Sequence, residues 1–263
     1  MLNNQEIKDL ISKTVSENIH DFFKGKEVKT SHVLDHIFPK ERKIRSLIGG
    51  LETSMGTRVW EPLAKAFAKS NGFEVLNEKK FNENVPIIPD NVTQFISLWE
   101  KNKLSNKNLP LSDYWNELKK FIYQNVDRKN LDFQKMPKGQ GVDILLSKNG
   151  KLILCDIKTT QLNAGGGSKF LKNFLNWYAY LALMDITDEA SCFLAFPFDP
   201  HRGQFWAREG GKISPLLPNQ EAYVADEFWD QLTGVKGTTG LIESTFEVLG
   251  KEDFGKQFSY HFD

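Results

Sequence analysis

The sequence predicts an α/β chain in which helices surround a small sheet, and three observations predict it. Two short apolar runs, Ile144–Leu146 and Leu152–Cys155, flank Ser147-Lys148-Asn149-Gly150, whose Asn-Gly pair signals a tight hairpin. A further apolar run, Ser191–Phe198, reads as a buried strand ended at Pro197. Before and between these strands lie segments whose apolar residues recur at helical spacing.

The chain opens with an amphipathic helix from Asn4 to about Phe23, its stripe made of Ile7, Leu10, Ile11, Val15 and Ile19. Lys40, Arg42, Lys43 and Arg45 then form a basic cluster between Pro39 and a break expected at Gly49-Gly50; it reads as a solvated helix face or as a phosphate-contacting segment. From Thr53 a wide stripe, Val59, Trp60, Leu63, Ala64, Phe67 and Ala68, marks a core helix stopped by Asn71-Gly72. Pro62 requires that helix to start near Glu61 or to bend there. Phe73 to Leu76 reads as a strand.

From about Asn77 to Met136 the chain is polar and asparagine-rich, with helical patterns around Val92–Trp99 and Tyr114–Val126, so an inserted helical lobe is expected. After the hairpin, the glycine run Gly165–Gly167 leads into a helical pattern over Lys169–Tyr180. Gln204 to Ala207 reads as another strand, and the remainder, with Trp229, Phe246, Phe254 and Phe258, as helices and a final strand or tail closing the core. The expected organisation is a single domain over residues 1–263, with an N-terminal helical region at 1–52 and a helical insertion at 77–136.

Lys+Arg and Asp+Glu both number 34, so the whole molecule exerts no net pull on polyanions and nucleic-acid contact must come from local patches. The two cysteines, Cys155 and Cys192, lie inside apolar runs and read as buried free thiols of a reducing compartment; a disulfide framework and a zinc ribbon are both excluded. The N-terminus has no apolar signal core, and no segment approaches the roughly 20 apolar residues of a membrane span, so a soluble cytoplasmic protein is expected. No phosphate loop and no Gly-x-Ser-x-Gly elbow is present, which argues against nucleotide and ester hydrolysis. His32 and His36 have helical i, i+4 spacing but no glutamate between them, and read as surface or cap residues.

The hairpin carries the chemistry. Asp143 opens its first strand, and Asp156-Ile157-Lys158 ends the second, so two carboxylates and an amine converge at one sheet edge. Six other Asp/Glu-x-Lys triplets occur in the chain, so the triplet alone means nothing; its place at the end of an apolar strand, where an unpaired charge is penalised, singles this one out. Such a cluster suits a hard divalent cation, with a lysine beside it to act on water attacking a phosphodiester. An ordinary salt bridge between Asp156 and Lys158 or Lys151 is the competing reading.

In order, the chain runs helix with Glu61, strand, insertion, strand from Asp143, hairpin, strand ending Asp156-Ile157-Lys158, helix, strand. That order resembles the PD-(D/E)XK nuclease superfamily over roughly Thr53 to Phe198, and within it a type II restriction endonuclease. The resemblance implies a central mixed β-sheet with an antiparallel meander flanked by helices. It implies that Asp143 and Asp156, with the carbonyl of Cys155 or Ile157, hold Mg2+, that Lys158 is the catalytic lysine, and that Glu61 completes the metal's surroundings. Gln161 stands where some members carry a glutamine after the lysine, and Tyr178 resembles the tyrosine of their helical motif. Val142 departs from the pattern, which has proline before the first aspartate.

The implied activity is Mg2+-dependent cleavage of double-stranded DNA at a short palindromic site by a C2 homodimer. Lys169 and Lys172 are candidate phosphate contacts, and Lys138, Gln140, Asn163, Lys169, Arg202, Arg208 and Arg58 are candidates for reading bases. A repair or junction-resolving nuclease would carry the same site. A non-catalytic DNA-binding protein would merely pair the three residues with one another.

Overall fold

The computed structural model describes residues 2–28, 32–159, 162–186 and 189–262. They fall into two compact units: Met1–Asn71 with Trp229–Asp263, and Gly72–Phe228.

The first unit is helical. Helix α1 (Asn4–Phe23) starts at a reciprocal cap, in which the Asn3 side chain accepts from Glu6 N at 2.9 Å and Glu6 accepts from Asn3 N at 2.8 Å. Ile7, Ile11 and Val15 are buried along one face, as their spacing predicts. A short 3-10 turn (Val33–His36) follows, where His32 is a cap, its ring Nδ1 accepting from Leu34 N at 3.1 Å. Helix α2 (Pro39–Met55) then runs straight through Gly49-Gly50, so the expected break is absent. Two glycines only weaken a helix, and burial of Leu47 beside Phe22, Phe23 and Phe258 holds this one. A π-helical stretch, Gly56–Trp60, passes directly into α3 (Glu61–Ser70), with Pro62 in its first turn where a missing N–H is harmless. Trp229, fully buried, packs its ring 5.7 Å from Phe67 and 6.1 Å from Trp60. The chain ends in a helix, Thr238–Lys251, and a 3-10 segment, Phe254–His261, with no strand after Trp229 among the described residues.

The second unit holds the sheet. Its elements are β1 (Glu74–Val75), α4 (Glu78–Glu83), β2 (Val85–Pro86), α5 (Asp90–Ser105), α6 (Leu111–Asn125), β3 (Phe133–Gln134), β4 (Ile144–Lys148), β5 (Lys151–Ile157), α7 (Gly166–Leu183), β6 (Glu189–Phe196), α8 (Phe205–Ile213) and β7 (Ala222–Val224). Five strands make a mixed sheet in the order β1-β4-β5-β6-β7. The pairs β1/β4 and β4/β5 are antiparallel, and β5/β6 and β6/β7 are parallel. This is the mixed sheet with an antiparallel meander that the sequence predicts. Asn149 and Gly150 both take positive φ, 52° and 74°, the geometry a two-residue hairpin needs and that Asn-Gly tolerates best.

The insertion adds α5 and α6 to the same core as α7. Tyr114 donates to the carbonyl of Leu175 at 2.9 Å, and Trp115 lies 5.3 Å from Tyr178. A buried ion pair ties the insertion to the rim of the sheet: Lys103 Nζ is 2.8 Å from Glu221 Oε2, and Glu221 also accepts from Leu111 N and Leu217 N. Residues 204–207, expected as a strand, instead begin α8, because Phe205, Glu209 and Ile213 recur every fourth position and are all buried. Helix α7 starts at Gly166, three residues earlier than its pattern suggests. Gly167 makes that docking possible: a Cβ there would lie 1.9 Å from the carbonyl oxygen of Ile213 at the end of α8.

Candidate active site

The site lies where the meander meets the parallel half of the sheet. Asp143 precedes β4; its backbone N–H donates to Cys155 O at 3.0 Å, extending the ladder by one residue. Its side chain turns back to β5, where Oδ2 accepts from Ile157 N at 2.8 Å. Asp156, on β5, is 5 % exposed. Beyond it Lys158 N donates to Ala195 O at 2.9 Å, so the neighbouring strand β6 fixes the backbone of the lysine.

The Lys158 ammonium sits against Asp156 Oδ1 as an ion pair and donates to the Ile157 carbonyl at 3.3 Å. It therefore marks the point on which a buried carboxylate and a strand-end carbonyl converge. Phe170, on α7, shields it: Lys158 Nζ lies 5.0 Å from the ring centroid and Lys169 Nζ 5.8 Å. Burial pushes the Asp156 carboxyl up to about 7, and the nearby Asp143 charge pushes the same way, while Lys158 and Lys169 pull it down. At neutral pH Asp156 thus holds its charge only in part, which is the electrostatic state of a carboxylate short of positive charge.

That donor set fits a hard divalent cation. Asp156 Oδ1 is buried against the Lys158 ammonium, Asp143 supplies a second carboxylate, and Ile157 a carbonyl, all oxygen. Among the described residues no three His, Cys, Asp or Glu side chains gather, so water and a substrate phosphate would have to complete the coordination.

The other predicted residues divide. Lys169, in the first turn of α7, is brought close enough to act on Asp156. Lys172, Asn163, Lys138, Arg202 and Arg208 are exposed in the same unit. Gln140 is tied down: its side-chain oxygen accepts from Asn176 at 3.2 Å and its carbonyl from the Trp177 indole at 2.6 Å, so it anchors the loop before Asp143 onto α7. Tyr178 sits at the far end of the strands, accepting from Cys192 N and donating to Ala190 O, where it packs and does not face the acids. Glu61 and Arg58 belong to the first unit; Arg58 is exposed, 5.7 Å from the Phe22 ring. Gln161 lies outside the described residues. Asn173, which donates to Gly139 O at 3.2 Å, and Phe170 are parts of the site that the sequence reading missed, since both look like ordinary members of a helical stripe.

A five-stranded mixed sheet, flanked by helices and carrying an acidic pair and a lysine on its central hairpin, defines a restriction-endonuclease-like fold. The family described as type II restriction endonuclease, HinfI, matches residues 3–249, and the chain belongs to that family. It is also 24% identical over 226 residues to the type II restriction enzyme MjaII of Methanocaldococcus jannaschii. That alignment covers 80% of this chain and 56% of the relative, so the chain spans little more than half the length of the enzyme it matches. No solved structure matches it. Among the described residues no helix is long and apolar enough to cross a membrane.

Proposed function

We propose that the chain is a site-specific endonuclease that hydrolyses phosphodiester bonds of double-stranded DNA at a short palindromic sequence, using Mg2+ and acting as a C2 homodimer. The observation that carries the reading is the meeting of Asp143, Asp156 and Lys158 at one point of the sheet edge, in a chain of a restriction endonuclease family. Two identical half-sites on DNA match two identical protomers, which is the reason for the dimer.

Asp143, Asp156 and the Ile157 carbonyl would hold the cation. When bound, Mg2+ supplies Lewis acidity toward the scissile phosphate and toward water. The chain's own groups do the rest. Asp143 keeps the strand end rigid through Ile157 N. Lys158, held at the strand end beside Asp156 and the Ile157 carbonyl, would orient the attacking water and offset negative charge developing on the phosphate. Lys169, its Nζ 5.8 Å from the Phe170 ring centroid, adds a second ammonium that would meet a backbone phosphate.

The test is digestion of plasmid and phage DNA with and without Mg2+, followed by sequencing of the ends. Discrete fragments with a shared end sequence are expected. Asp156→Ala and Lys158→Ala should abolish cutting and leave specific binding largely intact, and full cleavage by either variant would end the assignment. Cutting confined to branched or damaged duplexes would point to repair instead.

A further inference from the structure

The loop between β6 and α8, residues 197–204, leaves the sheet on the edge that bears Lys158, since Lys158 N is bonded to Ala195 one residue before the end of β6. Its frame is rigid. The Asp199 carboxylate accepts from His201 N at 2.7 Å and from Gly203 N at 2.5 Å. The His201 ring points inward, Nε2 3.0 Å from Glu209 Oε1, and the other Glu209 oxygen ion-pairs with Lys212 at 2.8 Å. Glu209 is 2 % exposed. Burial alone would push its carboxyl up, but Lys212 and His201 outweigh this and hold it below the usual range, so it stays a charged anchor for the imidazole.

Between the two residues that Asp199 fixes stands Arg202, exposed, at φ 51°. The other non-glycine residues with positive φ among the described residues are Asn149, Asp185, Asn219, Asp253 and Ala225. Four of those are the Asn and Asp types that tolerate the left-handed region; arginine gains nothing there from its own backbone. Nor does the fold use its side chain, for among the described residues the Arg202 guanidinium makes no hydrogen bond or ion pair. A left-handed arginine between two backbone groups held by Asp199, its guanidinium exposed on the loop that leaves the sheet at the Lys158 end, is a device for geometry more than for charge.

We propose that Arg202 reads a guanine edge in the DNA target through its guanidinium fork, and that His201 and Glu209 are positioning residues that hold it there. The ligand class rests on the nuclease reading above. A phosphate contact would accept a cation from almost any backbone position, whereas a bidentate contact to guanine O6 and N7 needs the guanidinium delivered from a defined one, which the Asp199 bonds supply.

The experiment is selection of bound duplexes from a random pool by the full chain in EDTA, so that binding is read apart from cleavage. The wild type should recover a motif containing guanine. Arg202→Ala should lose preference at one base pair of it, with affinity for the parent motif down about 10- to 100-fold and affinity for duplexes already mismatched there unchanged. Arg202→Lys should not restore it. Glu209→Gln, assayed well below its melting temperature, should blur the same position and leave preference at the other base pairs intact, which a general loss of structure would not do. A uniform loss across all sequences with a shallower salt dependence would mark a phosphate contact and overturn the proposal. An unchanged motif, or no motif from the wild type, would overturn it too. Absence of Mg2+-dependent cutting by the wild type would instead sink the nuclease reading.

Discussion

The carboxylate of Asp143 accepts the backbone N–H of Ile157 at 2.8 Å, so the first acid is locked onto the strand that carries the second. The bond spans the two strands of one hairpin and needs only an oxygen acceptor, while the proposed chemistry needs a negative charge. Asp143→Asn separates the two. Its amide oxygen can still accept from Ile157, so stability should change by less than about 1 kcal/mol. Cleavage should fall by two orders of magnitude or more, about 3 kcal/mol of barrier. Melting curves and single-turnover rates on a cut plasmid check both; a variant with normal turnover would remove Asp143 from the reaction.

Asp156 makes the free protein pH-sensitive in a defined direction. Its carboxyl rises from 3.8 to about 7 on folding, so the folded state binds the proton more tightly than the unfolded one. The stability this contributes is fully present below pH 3.8 and is lost as the pH rises through about 7. A divalent cation favours the ionised form, so the gain in melting temperature on adding Mg2+ should be larger at pH 8 than at pH 5.5, and small at both in Asp156→Asn. Calorimetry at the two pH values decides it. Equal gains would mean that the cation binds elsewhere.

Gly167 has no room for a side chain. Its Cβ would meet backbone of Ile213 and Ser214 at 1.9 to 2.4 Å, and backbone cannot rotate away as a side chain can. Gly167→Ala should cost about 1–3 kcal/mol through the shift it forces between α7 and α8, despite the better helix propensity of alanine. Urea unfolding measures this, and a neutral or stabilising result would contradict the packing.

Lys103 and Glu221 are both removed from solvent, and each also holds backbone groups of the insertion and the rim. Removing one partner strands the other charge, so Lys103→Met should cost about 3–5 kcal/mol at neutral pH. Burial already raises the Glu221 carboxyl, and loss of Lys103, which opposes that rise, should raise it further. The variant should therefore regain stability as the pH falls. Chemical denaturation at pH 5 and pH 8 tests the sign.

The hairpin, its Asn-Gly turn and the two acids with Lys158 were legible in the chain itself. Their information is local: alternation of apolar residues, a turn that demands positive φ, and charges at strand ends where burial forbids them unless something pairs. Helix α1 was equally readable, because its apolar stripe lies within a few turns. Local reading failed where distant residues decide. Gly49-Gly50 looked like a break until packing of Leu47 held the helix through it, and residues 204–207 looked like a strand until burial of Glu209 under His201 revealed a helical period.

What the sequence determined by itself was the class of fold and the grouping of Asp143, Asp156 and Lys158 at one strand end, because short-range periodicity and charge placement suffice for both. Only the tertiary structure decided which other groups surround them. It put Lys169 and Phe170 beside the acids, gave Gln140 and Tyr178 packing roles, and left Arg202 exposed on a loop whose backbone Asp199 holds. Those assignments depend on how separate segments meet, as Gln140 meets Trp177 and Tyr178 meets Cys192, and burial and hydrogen-bond partnership are properties of the folded surface, absent from any window of the chain.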